Sequence, residues 1–357
     1  MVFLIVGAGL SGAVLAERIA TQLGKKVVII DKRDHIGGNC YDYMYKDTNI
    51  RINKYGAHIF HTNDPAIWNY VNRFGTWVRY EHSVVSHVNN MYVSIPVNIT
   101  TVNRLCNQTI QSESEMKEWL AQNQSSYDSI TNSEEMAKSR IGPDLYDTLI
   151  HHYTYKQWNK YPCELDPSVL ARIPIRSNFD TRYFSDRYQA LPKDGYTAWF
   201  QRVLDHPNIE VKLQCDFFTF RTTHDMDQFE AVIYTGPIDG YFKEEGYDSL
   251  EYRSIRFDIQ TLPNTPYFQP SSVVNYPGPE VPFTRIVEYK HFLHQTSNDT
   301  VIVSETTNDT GEPYYPVPNQ RNLELYSKYK RLAEKEEQTK QIYFVGRLAS
   351  YKYFNMD

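Results

Sequence analysis

The segment VFLIVGAGLSGAVLAERIATQLGKKVVIID, residues 2–31, decides the fold. A short apolar run leads into a glycine-rich turn, a stretch with apolar residues at helical spacing runs to Leu23, and KVVIID closes the unit on an acid. This predicts strand, helix, strand. Within the turn, Gly7 permits a tight bend, Gly9 lets backbone approach a diphosphate, and Gly12 lets helix pack on strand, while the helix N-terminus faces negative charge. Ser11 belongs to the same set, and Asp31, 19 residues beyond Gly12, is placed to accept from ribose hydroxyls. A strand-turn-helix that needs glycine for geometry alone would look similar; the flanking strands and the terminal acid point instead to FAD or NAD.

The residues after Asp31 favour FAD. Arg33 and then Gly37-Gly38-Asn39 supply a second glycine pair beside which an extended cofactor can pass. IEVKL (209–213), AVIYT (231–235) and IYFVG (342–346) read as further short buried strands, so one nucleotide-binding sheet gathers strands from the whole chain. Residues 1–78, 200–250 and 325–357 are accordingly expected to form a discontinuous Rossmann-like domain in an α/β protein. Residues 98–180 are expected to form a small helical domain, because SESEMKEWLAQ and SEEMAKSR are helical and Gly142-Pro143 starts another helix. Within it, Pro162, Pro167 and Pro174 break up 159–180, which predicts a mobile lid with no apolar face to dock it. Alternation over 79–96, 182–192 and 252–304 predicts an antiparallel sheet domain from 79–97, 181–199 and 251–324.

Bulk properties narrow the function. The 357 residues allow two or three cores, and no run is apolar for long enough to span a bilayer. A net charge of −6 argues against a nucleic-acid surface, so an anionic ligand must meet locally placed cations. Cys40, Cys106, Cys163 and Cys215 are too scattered for a zinc site or a disulfide scaffold, and the first residues read as a strand, not a leader. A cytoplasmic protein without a metal is expected. The 29 tyrosines suit stacking and hydroxyl bonding to nucleotides and sugars, although a genome composition bias would give the same count.

Five further segments carry a family resemblance: YGAHIFHT (55–62), YTYKQW (153–158), RYFSDRYQALPKDGYT (182–197), FTRIVEYKHF (283–292) with EPYYPV (312–317), and GRLASYKYFNMD (346–357). In this order they resemble the bacterial UDP-galactopyranose mutases, flavoenzymes of the GR2 type. The resemblance implies reduced FAD as cofactor, with His58, Ile59, His61, Arg347, Tyr353 and Met356 near the flavin. It implies that Tyr153 stacks on the base and Trp158 lines the sugar cleft, where pattern alone makes both core aromatics on a helix with Leu145 and Leu149. Arg172 and Arg285 take the diphosphate positions, where a planar fork of permanent charge is needed; Tyr183, Arg253, Asn275, Tyr314 or Tyr315, and Tyr353 complete the cleft.

By the same resemblance the reaction interconverts UDP-galactopyranose and UDP-galactofuranose through a covalent bond between flavin N5 and the sugar, with no net redox change. A homodimer and an external reductant such as NAD(P)H are implied as well. Three positions depart from the family pattern. Leu149 and Ile150 stand where two phenylalanines are usual, Asn159 replaces a glycine, and Met356-Asp357 ends the sequence where relatives continue into a helix. The alternatives are a mutase for another nucleotide sugar, an FAD oxidoreductase of the amine-oxidase type, and a flavin-free binding protein like the GDP-dissociation inhibitors.

Overall fold

The computed structural model describes residues 2–357. Its organising element is a parallel five-stranded sheet in the order Ile209–Lys212, Lys26–Ile30, Val2–Val6, Phe229–Tyr234, Ile342–Phe344. Helices cover a parallel sheet on both faces, so its central strands must be apolar throughout. Leu4, Ile5, Ile29 and Ile30 are all fully buried. The three strands anticipated from the distant apolar runs take their places here, and the sheet is drawn from both ends of the sequence.

A second sheet has seven strands, ordered Tyr315–Pro316, Tyr252–Leu262, Thr300–Asn308, Arg285–Glu288, Val273–Asn275, Val84–Val88, Met91–Ile95. It is mixed where full antiparallel pairing was expected, because Val273–Asn275 runs parallel to Val84–Val88. Tyr188–Pro192, assigned to this sheet from its alternation, instead joins Phe60–Thr62 and Trp77–Arg79 in a separate three-stranded sheet. Residues 182–187 form no strand beyond a single bridge from Arg182 to Ser83. Its adjacent aromatics, Tyr183 on the main core and Phe184 on His61, are used in side-chain packing and do not alternate as a paired strand requires.

Between these sheets in sequence lie the helices Ile99–Leu105, Glu113–Asn123, Ser133–Tyr146 and His152–Trp158. Asn98, Ser112 and Asn132 cap the first three through their side chains. Gly142 breaks the third at φ +80°, and Pro143 starts the continuation, as the Gly-Pro pair predicts. The segment 159–180 departs from expectation. It contains the short helix Ser168–Ala171, and Leu165, Val169 and Leu170 are buried with Trp158 and Val317. Arg140 fastens it further by donating to the carbonyls of Leu170, Ala171 and Ile173 at 2.8–3.1 Å. The segment therefore has an apolar docking face, one too short to register as a periodic pattern.

Candidate active site

A cleft of about 1470 Å³ opens along the carboxyl ends of the parallel strands, the place where α/β sheets take their ligands. Gly7, Gly9, Ser11, Asp31, Arg33, Gly38, Asn39, His58, Arg347, Tyr353 and Met356 all line it, and so does Tyr314. The helix Leu10–Gln22 starts at Gly9 with no side-chain cap, leaving its first N–H groups turned to the cleft. A Cβ on Gly9 would lie 3.6 Å from Gly38 Cα, so the two glycines leave a backbone-walled slot. Such a slot fits a dinucleotide diphosphate.

Asp31 is held by the turn that it serves. Its Oδ2 accepts from Ala8 N at 2.8 Å and its Oδ1 from Arg33 N at 2.9 Å. A carboxylate offers about four acceptor sites, which leaves capacity for ribose hydroxyls. Arg33 donates to Asn39 and Glu312, and its guanidinium lies 4.3 Å above the Tyr55 ring. Gly12 is not on the wall; a Cβ there would meet the Gly7 carbonyl at 2.0 Å, so its task is packing. Ile59 packs against the main core, also away from the cleft.

The two histidines expected beside the flavin part company. His58 lines the cleft, and burial pushes its imidazole down to about 4. Because its Nδ1 faces the Gly56 carbonyl at 2.8 Å, Nδ1 carries the proton and Nε2 remains an acceptor. His61 instead stacks on Phe184 at 3.7 Å and meets Asp186 at 3.0 Å, off the cleft wall. Near it His82 is 5% exposed with Nδ1 unpartnered, and burial, with Arg285 and His61 adding to it, drives its pKa to about 3. A histidine whose folded pKa lies below its unfolded value binds fewer protons folded, so stability falls as pH drops through 6.5 toward 3. Going from pH 7 to 5 is expected to remove on the order of 1–2 kcal/mol through His82. Urea denaturation at the two pH values, with His82→Gln losing that part of the change, checks it.

Arg172 and Arg285 are not among the residues that line this cleft; Arg172 meets its wall at Tyr353, and Arg285 lies within the field of His58. Asn275, Arg285 and Glu305 are direct partners across three adjacent strands, which puts their side chains in one row on one face. Tyr153 comes to this row from the helix His152–Trp158, its hydroxyl 3.5 Å from Asn275 Oδ1. Arg285 donates Nε to Glu305 Oε2 at 2.6 Å, and among the described residues its two Nη groups have no protein partner. Burial works against the guanidinium charge, but Glu305, Tyr153 and Tyr315 hold its pKa above the ordinary range. Arg172 is anchored in the same way, through Nε to the Val169 carbonyl at 3.2 Å. Its guanidinium and that of Arg347 each lie 4.5 Å from the Tyr353 ring, and Tyr315 stacks on Tyr353 at 6.3 Å. Tyr183 lies within the fields of Arg172, Tyr353 and Arg285.

Three expected substrate residues stand elsewhere. Arg253 is 3% exposed and already committed, with Nε on the Gln157 carbonyl and the rest of its fork on Asp309 and Thr307. It is a tie between helix and sheet. Tyr314 faces the dinucleotide cleft, so of the EPYYPV pair it is Tyr315 that joins the arginines. Trp158 is 7% exposed in the core under the 159–180 segment and touches the cluster only through Tyr315, at 6.5 Å between ring centroids. Glu305 was not singled out from sequence; its signal is an acid inside the apolar run VIVSE, 1% exposed once folded. Thr235 and Gly236 of the cleft wall also passed unnoticed at the end of a buried strand.

A dinucleotide cleft with unpaired guanidinium forks and tyrosines next to its wall is the layout of a cofactor-dependent enzyme of anionic, nucleotide-like substrates. Comparison narrows this. The UDP-galactopyranose mutase family matches residues 148–353, and an NAD(P)-binding Rossmann-like domain matches residues 5–74. The chain is 38% identical to the probable UDP-galactopyranose mutase of Klebsiella pneumoniae over 99% of its own length and 90% of that protein. It is 36% identical to the dTDP-fucopyranose mutase of Escherichia coli, covering 99% and 94%. A crystal structure of reduced UDP-galactopyranose mutase superposes with a TM-score of 0.77 at 17% identity, over 99% of this chain and 92% of that one. The chain belongs to the UDP-galactopyranose mutase family, which makes it a flavin-dependent isomerase. No helix among the described residues is long and apolar enough to cross a membrane.

Proposed function

We propose that this protein interconverts the pyranose and furanose forms of UDP-galactose with reduced FAD as its cofactor. The observation that carries the reading is the pair of arginines, Arg172 and Arg285, each anchored by Nε and each left with a free Nη fork beside the dinucleotide cleft. A diphosphate is the ligand that two planar, permanently charged forks recognise. When bound and reduced, FAD would supply a nucleophile toward the anomeric carbon without net loss of electrons. Gly7, Gly9, Gly38, Asp31 and Arg33 would hold its nucleotide half, and His58 would present a neutral acceptor near its ring system.

The residues of the chain then have positional and electrostatic work. Arg285, kept charged by Glu305, binds the diphosphate and stabilises the charge that grows on it as the bond to the sugar breaks. Arg172 binds the same group from the docked 159–180 segment, which holds its guanidinium against Tyr353. Tyr153 and Asn275 stand on the nucleotide side, with Tyr183, Tyr315 and Tyr353 around the sugar. A homodimer and an electron donor such as NAD(P)H complete the reading.

A second reading is a mutase for another nucleotide sugar. It is favoured by the 36% identity to a dTDP-fucopyranose mutase and by Leu149 and Ile150 in place of an aromatic pair. The two are separated by incubating dithionite-reduced protein with UDP-galactofuranose and, separately, with dTDP-fucofuranose. Conversion of the UDP-sugar with the larger kcat/KM is expected; the reverse order assigns the enzyme to the dTDP-sugar.

A further inference from the structure

Lys156 lies outside the set of residues that face the cleft, yet its Nζ has the most crowded acceptor environment of any lysine described. The carbonyls of Gly278, Phe283 and Val281 approach it at 2.7, 3.0 and 3.3 Å, and the Tyr276 carbonyl accepts as well. All four belong to one stretch, 276–283, the connection between the strands Val273–Asn275 and Arg285–Glu288. Pro277, Pro279 and Pro282 lie in this connection, and proline brings no N–H. The loop is therefore short of donors and turns carbonyls inward. An ammonium has only three protons for four acceptors, so the site resembles the carbonyl rings that replace the water around a monovalent cation, here with the ion tethered to a helix.

What the tether joins is the two walls of the anion site. Lys156 is one turn beyond Tyr153 on the helix His152–Trp158, and the loop that it gathers leaves Asn275 and enters the strand of Arg285. The same helix end is tied to the sheet twice more, by the Thr307 hydroxyl donating to the Lys156 carbonyl and by Arg253 donating to the Gln157 carbonyl at 2.9 Å. Those two ties fix the helix to the neighbouring strands; of these hydrogen bonds, the ones from Lys156 reach the loop between Asn275 and Arg285.

We propose that Lys156 is a positioning residue, a tethered cation in a backbone carbonyl cage that sets Asn275 and Arg285 in register with Tyr153. This rests on the reading of that face as the nucleotide-sugar site, and the test separates the two. UDP affinity, kcat, KM, the flavin spectrum and hydrogen exchange over 276–283 are measured on the flavin-loaded wild type and on Lys156→Ala, Lys156→Met and Lys156→Arg. If the wild type itself does not bind UDP, the functional reading fails first. Otherwise the Ala and Met variants are expected to keep flavin, exchange faster over 276–283, and lose on the order of tenfold to a hundredfold in UDP affinity and kcat/KM, the scale of a misplaced binding group. Ammonium or potassium ions are expected to restore Lys156→Ala, whose cage is open, but not Lys156→Met, whose side chain blocks it, and to leave the wild type unchanged. Should Lys156→Ala shed its flavin, Lys156→Arg carries the test, since it keeps the charge but cannot bring its planar fork to a point among four carbonyls. Unchanged UDP affinity in flavin-loaded Lys156→Met would overturn the proposal, as would a loss in Lys156→Ala that neither ion reverses. Loss of flavin from all three variants would overturn it too, by making Lys156 a folding residue.

Discussion

Arg285→Lys is expected to retain its flavin and lose about 2–4 kcal/mol of transition-state stabilisation, the scale of removing one preorganised donor. The charge survives the change but the geometry does not. Arg285 spends Nε on Glu305 at 2.6 Å and keeps both Nη groups for a ligand, whereas a lysine ammonium drawn to Glu305 would have no second, planar edge to present. Glu305 is 1% exposed and its Oε1 has no partner, so it would hold the lysine firmly away from substrate. The loss should fall mainly on kcat, because the diphosphate gains charge as it leaves. Steady-state kinetics on the reduced variant, with its absorption spectrum as the check on flavin, decide the matter; a wild-type kcat would remove Arg285 from its assigned role.

Gly9→Ala is expected to abolish flavin binding while leaving the apoprotein folded. Gly9 has φ −80°, which alanine adopts readily, and the nearest atom to an added Cβ is at 3.6 Å, an ordinary contact. The methyl group therefore costs the fold little, but it stands in the slot between the uncapped helix and Gly38, where a diphosphate must approach. Gly38→Ala is the contrast. There φ is +54° and the Cβ would lie 2.8 Å from Gly9 Cα, so the fold suffers along with the cofactor. The ratio of flavin to protein absorbance and the thermal midpoint of each apoprotein distinguish the two. A Gly9→Ala protein that purifies with full flavin would mean the cofactor does not cross this turn.

What the sequence disclosed depended on how local each signal is. The turn from Gly7 to Gly12, with Asp31 behind it, is legible because backbone geometry and ligand chemistry act within one strand-helix-strand unit. The strand ending at Tyr234 could be foreseen because burial makes its second half apolar, whereas the edge strands ending at Lys212 and Phe344 are half-exposed and showed only as short runs rich in β-branched and aromatic residues. The proposed anion site had no such local mark. Arg285 and Glu305 meet only through strand register, and Arg172 reaches Tyr353 from the 159–180 segment, which docks through Leu165, Val169 and Leu170. Resemblance to a family pointed to Arg172 and Arg285, whose forks are free, but not to which other residues were already committed. Arg253 is bound on all sides, and His61 is turned to Asp186. Glu305 and Lys156 escaped notice because a buried charge in a strand and a lysine on a helix carry no mark of the partners that tertiary structure brings.

Use of a redox cofactor with no net redox change is tested most directly by counting turnovers per reducing equivalent. Anaerobic protein given one equivalent of dithionite per flavin is supplied with excess UDP-galactofuranose, and UDP-galactopyranose is measured by chromatography while the flavin spectrum is followed. The account predicts many product molecules per flavin, a flavin still reduced at the end, and no product from the oxidised protein. Product limited to one per electron pair, with the flavin reoxidised in step, would contradict it and make the protein an oxidoreductase.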